Sequence, residues 1–112
     1  MKYLAAFTLM VSVSAFAHHG WSEYDSDSTL QLTGQIEDSG YSHPHGFVRL
    51  KTAEKSWLVV LAPPTRMENR GLSQEMIKPG RSVTVVGYPN RNKPEEMRAE
   101  RIIVDSKTTE LR

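Results

Sequence analysis

A small all-β barrel with one short helix is what the sequence predicts, and three observations carry that reading. Five short segments either alternate apolar and polar residues or run continuously apolar, as β-strands do. A single stretch, between the third and fourth of them, has room for a turn or two of helix. The chain is 112 residues long, enough for one domain with a modest core. Composition narrows the function classes. Lys and Arg number 14 against 13 Asp and Glu, a net charge of +1, so a chain that coats phosphate backbone is excluded and no nucleic-acid partner is expected. The 7 Gly and 6 Pro are scattered, which excludes collagen-like and low-complexity chains. Cysteine is absent, so disulfides, thiolate nucleophiles and cysteine metal sites are excluded as well.

Residues 1–17 (MKYLAAFTLMVSVSAFA) have a basic start at Lys2 and an apolar stretch over Tyr3 to Val13. They end in Ala15-Phe16-Ala17, the small-x-small pattern of a signal-peptidase site. They predict a secretory signal peptide and a periplasmic or secreted protein. A membrane anchor needs about 20 apolar residues. This run is shorter and gives way to HHGWSEYD, so no membrane span is expected after cleavage. Cleavage after Ala17 removes Lys2 and leaves a formally neutral chain that begins at His18.

Residues 18–28 are polar, with two aromatics and no period, and read as an N-terminal arm. The barrel is expected over residues 29–106. Leu30, Leu32 and Ile36 alternate with Gln31, Thr33, Gln35 and Glu37, forming the first strand, with Gly34 at a bulge or bend. Asp38-Ser39-Gly40 punctuates, and YSHPH (41–45) reads as a loop or strand entry. Phe47 to Thr52 alternates again. Trp57 to Leu61 is continuously apolar, the pattern of a central strand buried on both faces, and lies close enough to pair with the second strand as a hairpin. Ala62-Pro63-Pro64 stops it. Thr65 to Leu72 is the helical stretch, with Gly71 as its stop. Lys78-Pro79-Gly80 turns the chain into the fourth strand, Ser82 to Tyr88. Pro89 to Pro94 is a polar hairpin loop, and Met97 to Val104 is the last strand. Residues 107–112 are expected to be a flexible tail. The order β-β-β-short α-β-β is that of an OB-fold, a five-stranded Greek-key barrel. An open β-sandwich is the alternative.

All 4 histidines fall in two tight clusters, His18-His19 and His43-Pro44-His45. Imidazole is the commonest metal-binding side chain. On an extended segment, H-x-H spacing puts both rings on one face, and Pro44 stiffens the segment. After cleavage His18 would also carry the α-amine, a nitrogen donor with a reference pKa near 8. Amine and imidazole of one residue form a compact chelate, similar to the histidine brace of lytic polysaccharide monooxygenases and of periplasmic copper-resistance carriers. Nitrogen-rich tetragonal sites favour Cu(II). Zinc is the competitor. The bland alternative is a solvated N-terminal His pair and loop histidines that bond backbone.

Other residues carry weaker signals. Glu23, Asp25 and Asp27 offer oxygen ligands but read first as a solvated face; no EF-hand loop follows them in register. Met67, Met76 and Met97 read as core filling rather than Cu(I) donors. Trp21, Tyr24 and Tyr41 are candidates to pack over the histidines, and Trp21 and Trp57 to join the core. Arg91 and Lys93 make the final hairpin basic. No G-x-S-x-G elbow, H-E-x-x-H helix or phosphate-cradling glycine loop is present, so the chain does not read as an enzyme.

As an ordered set, the motifs resemble a family of short exported bacterial proteins of unknown function. They are His18-His19-Gly20, His43-Pro44-His45-Gly46, Trp57-Leu58-Val59, Ala62-Pro63-Pro64, Gly71-Leu72, Lys78-Pro79-Gly80 and Val83 to Gly87. The resemblance implies an exported OB-like barrel and suggests a metal. Many members carry Asn at the position of His43, which puts the weight on His45. The expectation is a periplasmic metal-binding protein, with copper first and zinc second. It would sequester or relay the ion through His18, His19, His43 and His45, with another envelope protein as a further partner. The alternative is a non-metal OB module that recognises an envelope partner, peptide or glycan through its strand face and loops.

Overall fold

Alternation decides which side of each strand faces inward, and in a barrel the inward side is the core. The computed structural model describes residues 20–112; the expected signal peptide, His18 and His19 lie outside them. The strands are β1 (Leu30–Gly40), β2 (Phe47–Lys51), β3 (Ser56–Val60), β4 (Ser82–Pro89), β5 (Glu96–Val104) and β6 (Lys107–Glu110). Helix α1 (Pro64–Asn69) and a 3-10 turn (Gln74–Ile77) lie between β3 and β4. The sheet order is β3-β2-β1-β4-β5-β6, and a further parallel pairing of β3 with β5 closes five strands into a barrel. This is the predicted OB-like fold, and closure sets the open sandwich aside.

β1 holds the barrel together by serving two partners. Its first half runs antiparallel to β4, from Leu30 opposite Gly87 to Gln35 opposite Ser82. Its second half runs antiparallel to β2, out to Gly40 opposite Phe47, with a register shift between Ile36 and Asp38. The strand bends where it passes from one partner to the other. At Gly34 a Cβ would collide with the Lys51 carbonyl oxygen, so the close approach of β2 requires glycine there. Val48, Leu50, Val59, Val83, Val85 and Ile102 fill the interior with no more than 2% exposure. Met67 on α1, Leu72 and Ile77 plug one end, all fully buried. Pro64 stands at the first helical turn, where its missing N–H costs nothing. Gly71, at φ +87°, turns the chain out of α1, and the Leu72 amide donates back to the Met67 carbonyl at 2.8 Å. The helix is shorter than the expected 65–72 span because that closure begins at Arg70.

Three expectations need correction. The first strand does not stop at Glu37: the bulge lets it run through Asp38-Ser39 to Gly40. The Trp57–Leu61 run is not a strand buried on both faces. Only Val59 of β3 is fully buried, because barrel strands have one inner face; Leu58 and Val60 point outward and are half-exposed. Residues 107–112 are not a loose tail. Lys107–Glu110 forms β6 on the β5 edge, with Thr109 and Leu111 buried. The turn Asp105-Ser106 has positive φ at both residues (49° and 69°), the backbone of a two-residue hairpin. Arg70 donates to the Glu110 carbonyl at 2.7 Å and Arg66 to that of Leu111 at 3.0 Å, so α1 covers the outer edge of β6.

Candidate ligand cavity between the arm and the β1–β2 loop

The arm is built into the fold from Trp21 onward. Trp21–Glu23 forms a 3-10 turn, and Tyr24 makes a β-bridge to Asn90. The Asp25 amide donates to the Pro89 carbonyl at 2.9 Å, and the Arg91 amide to that of Glu23 at 2.9 Å. Arg91 also donates from Nε to the Ser22 carbonyl at 3.1 Å. The arm is thus clipped to the β4–β5 hairpin by one β-bridge and the hydrogen bonds on either side of it. Its anchor is Trp21, with the Arg98 and Arg112 guanidinium carbons each 4.5 Å from its ring centroid and Tyr24 and Tyr88 edge-on to it.

This docking brings Glu23 and Tyr24 into one cavity, of about 220 Å³, with Pro44 and His45 of the β1–β2 loop. Val60 of β3 lines the same space, as do Lys93, Glu96 and Arg98 of the β4–β5 hairpin and β5. The polar wall is fixed by hydrogen bonds. The buried Tyr24 hydroxyl donates to Glu96 Oε2 at 2.5 Å, and Asn90 Nδ2 donates to the same oxygen at 3.3 Å. Asn90 Oδ1 accepts the Asn92 and Lys93 amides, which shapes the hairpin loop. Burial, reinforced by the bond to the Glu96 carboxylate, pushes the Tyr24 phenol well above its ordinary pKa. Burial lowers that of Arg98; the charge of Tyr24 opposes this, and the neighbouring Arg66 and Arg112 reinforce it.

The sequence-predicted site residues divide. His45 is half-buried and lines the cavity, whereas His43 is exposed. Residues 41–46 form a loop, so the period-two argument for two rings on one face does not apply; the His43–Pro44 peptide is cis. Glu23 belongs to the cavity, but Asp25 does not. Its carboxylate accepts the Asp27 amide and the Ser28 hydroxyl, each at 3.0 Å, and its pKa is lowered by those two bonds, the Asp27 amide first. Met67 and Met97 are fully buried core residues. Among the described residues, no group of three or more His, Asp or Glu side chains is disposed to hold a metal ion. His18 and His19 lie outside those residues. The sequence reading missed Asn90, Glu96 and Arg98, because nothing in the linear pattern of a β-hairpin tells which of its polar residues face a neighbouring arm.

The sequence profile of DUF6152, a family of unknown function, matches residues 7–97, and the chain belongs to that family. No curated protein matches. Among solved structures, the fold is similar to part of a complex of TiaS with tRNA and ATP, at TM-score 0.53 and 18% identity over 80% of this chain and 20% of that one. A ZRD-deleted TiaS mutant in complex with agmatine gives TM-score 0.53 at 18% identity, covering 79% and 25%. A tRNA fluorescent labelling enzyme gives TM-score 0.52 at 19% identity, covering 71% and 18%. This chain therefore spans a quarter or less of those proteins, and the likeness is one of fold.

Proposed function

We propose that this member of DUF6152 is an exported metal-binding protein, taking copper ahead of zinc, which sequesters or relays the ion in the envelope. The single observation that supports the reading is the shared cavity: the arm carries Glu23 and Tyr24 to His45 of the β1–β2 loop. Trp21–Glu23 is a 3-10 turn, and His18 lies two residue steps before Gly20, a reach of up to roughly 7 Å extended. On this reading His18, through amine and imidazole, and His19 complete the site at His45. Three or four nitrogens, with Glu23 as a further oxygen donor, form a donor set of the kind Cu(II) favours. His43, exposed and not part of the cavity lining, is the least favoured of the four histidines.

The test is calorimetric titration of protein beginning at His18 with Cu(II) and Zn(II), with Cu(II) electron paramagnetic resonance alongside. One tight equivalent with a nitrogen-rich Cu(II) spectrum is expected. His45→Ala should weaken binding by tenfold or more and His43→Ala by little. One extra residue before His18 should abolish the amine chelate and change the spectrum. Weak, multiple or His45-independent binding overturns the reading.

A further inference from the structure

We infer that the cavity discriminates between the oxidation states of copper, holding Cu(II) in preference to Cu(I), with Glu96 as the oxygen ligand that decides it. The inference rests on the metal reading of the cavity and adds a ligand to it. Glu96 lines the same cavity as His45. It stands at the start of β5, opposite Leu58 in the parallel β3–β5 pairing that closes the barrel. Its side chain is 13% exposed, and the fold holds the carboxylate by one oxygen. Oε2 accepts the Tyr24 hydroxyl and Asn90 Nδ2, while the Asn90 amide donates to the Glu96 carbonyl at 2.9 Å. Oε1 accepts no hydrogen bond among the described residues; the exposed Lys93 ammonium stands 4.0 Å from it. A carboxylate with one oxygen tethered and the other open is a ligand already in position, so little ordering is lost when a cation binds. No three described His, Asp or Glu side chains are disposed about one ion, so Glu96 and His45 act as a pair that the nitrogens of His18 and His19 complete.

The donor chemistry then selects the oxidation state. Imidazole and amine nitrogens serve both copper ions. A carboxylate suits divalent ions, whereas soft sulfur donors select Cu(I). Its charge also attracts a dication about twice as strongly as a monocation at the same distance. Among the described residues no sulfur lines the cavity: Met67 and Met97 are fully buried in the core, and Met76 packs against it. Glu23, which lines the cavity too, is the rival for the role of Glu96, and the experiment separates them.

Both oxidation states are measured on protein beginning at His18. Cu(II) affinity is read by competition with glycine, and Cu(I) affinity by competition with bicinchoninate under anaerobic ascorbate. Glu96→Gln keeps the shape of the side chain and an acceptor for Tyr24. It should weaken Cu(II) binding about tenfold or more and leave Cu(I) binding within about threefold. The reduction potential of the bound copper should rise by about 59 mV for each tenfold change in that ratio. Glu23→Gln should change the ratio less. Zn(II), a diamagnetic probe, should shift the side-chain carboxyl carbon resonance of Glu96 in the parent protein, a readout that needs no variant to fold. Equal losses for both copper ions, unchanged Cu(II) affinity in Glu96→Gln, or a larger change in Glu23→Gln overturns the role of Glu96 and leaves the metal reading standing. So does a Glu96 carboxyl resonance that Zn(II) leaves unmoved, or a parent that holds Cu(I) as tightly as Cu(II). A parent that binds neither ion tightly overturns both.

Discussion

Tyr24 buries a hydroxyl beside a carboxylate, and its protonation state is therefore tied to folding. The neutral phenol donates to Glu96 at 2.5 Å, whereas a phenolate there would face that carboxylate in a desolvated setting. The folded-state pKa is raised above the unfolded value, near 10. Stability from this group is then fully present below pH 10 and is lost as pH rises further, because the unfolded chain ionises first. Tyr24→Phe should cost about 1–3 kcal/mol at pH 8, since Glu96 loses its shortest donor. Above pH 10 the gap between parent and variant should shrink by up to about 1.4 kcal/mol per pH unit. Urea unfolding at pH 8, 9, 10 and 11 measures both. A gap that stays constant with pH would mean that the phenol ionises alike in the folded and unfolded chain.

Strand β6 tests the reading of an element. Its signal in the sequence is faint for a physical reason: Lys-Thr-Thr-Glu is polar, since an edge strand under α1 buries only Thr109, with Leu111 just beyond it. Its turn uses Asp105-Ser106 rather than the Asn-Gly or Asp-Gly that marks positive φ most plainly. The five barrel strands were legible because each lays a row of Val, Leu or Ile on the core. The β1 bulge was not, because Glu37-Asp38-Ser39 carries no apolar residue to keep the count across the register shift. The clustering of His43 and His45 singled out a residue that lines the cavity, His45, whereas nothing in the linear pattern marks Glu96 and Asn90, which the docked arm brings to the same wall. Leu111→Ala should cost about 2–4 kcal/mol, as a fully buried leucine does. Thr108→Ala, on the exposed side of the same strand, should stay within about 0.5 kcal/mol. Thermal unfolding of the two variants separates a packed strand from a loose end, for which both changes would be silent.

At the scale of the whole molecule, the arm makes the cavity a property of the fold rather than of a loop. It is held by backbone bonds to Pro89 and Arg91 and by Trp21 against Arg98 and Arg112. Arg112 is itself tied to β5 through Glu100 at 3.4 Å, so the segment following β6 reaches the arm. A ligand bridging arm and loop binds only when both are ordered, and its binding energy then adds to folding energy as RT ln(1 + [L]/Kd). Free Cu(II) at a hundredfold excess over Kd is worth about 2.7 kcal/mol. For a domain of this size that is a rise in Tm on the order of 10–20 °C, reversed by EDTA. Acid should weaken the effect, because nitrogen ligands must be deprotonated to bind. Two variants divide the causes. His45→Ala removes a proposed ligand and should cut the copper-dependent rise, measured from the variant's own metal-free Tm, by about half or more. Trp21→Ala leaves every proposed ligand in place but loosens the arm; it should lower the metal-free Tm and weaken Kd together, because binding must then supply the ordering of the arm. Were Trp21→Ala to lower Tm without touching copper affinity, the arm would be a structural strap only, and the metal site would belong to the loop.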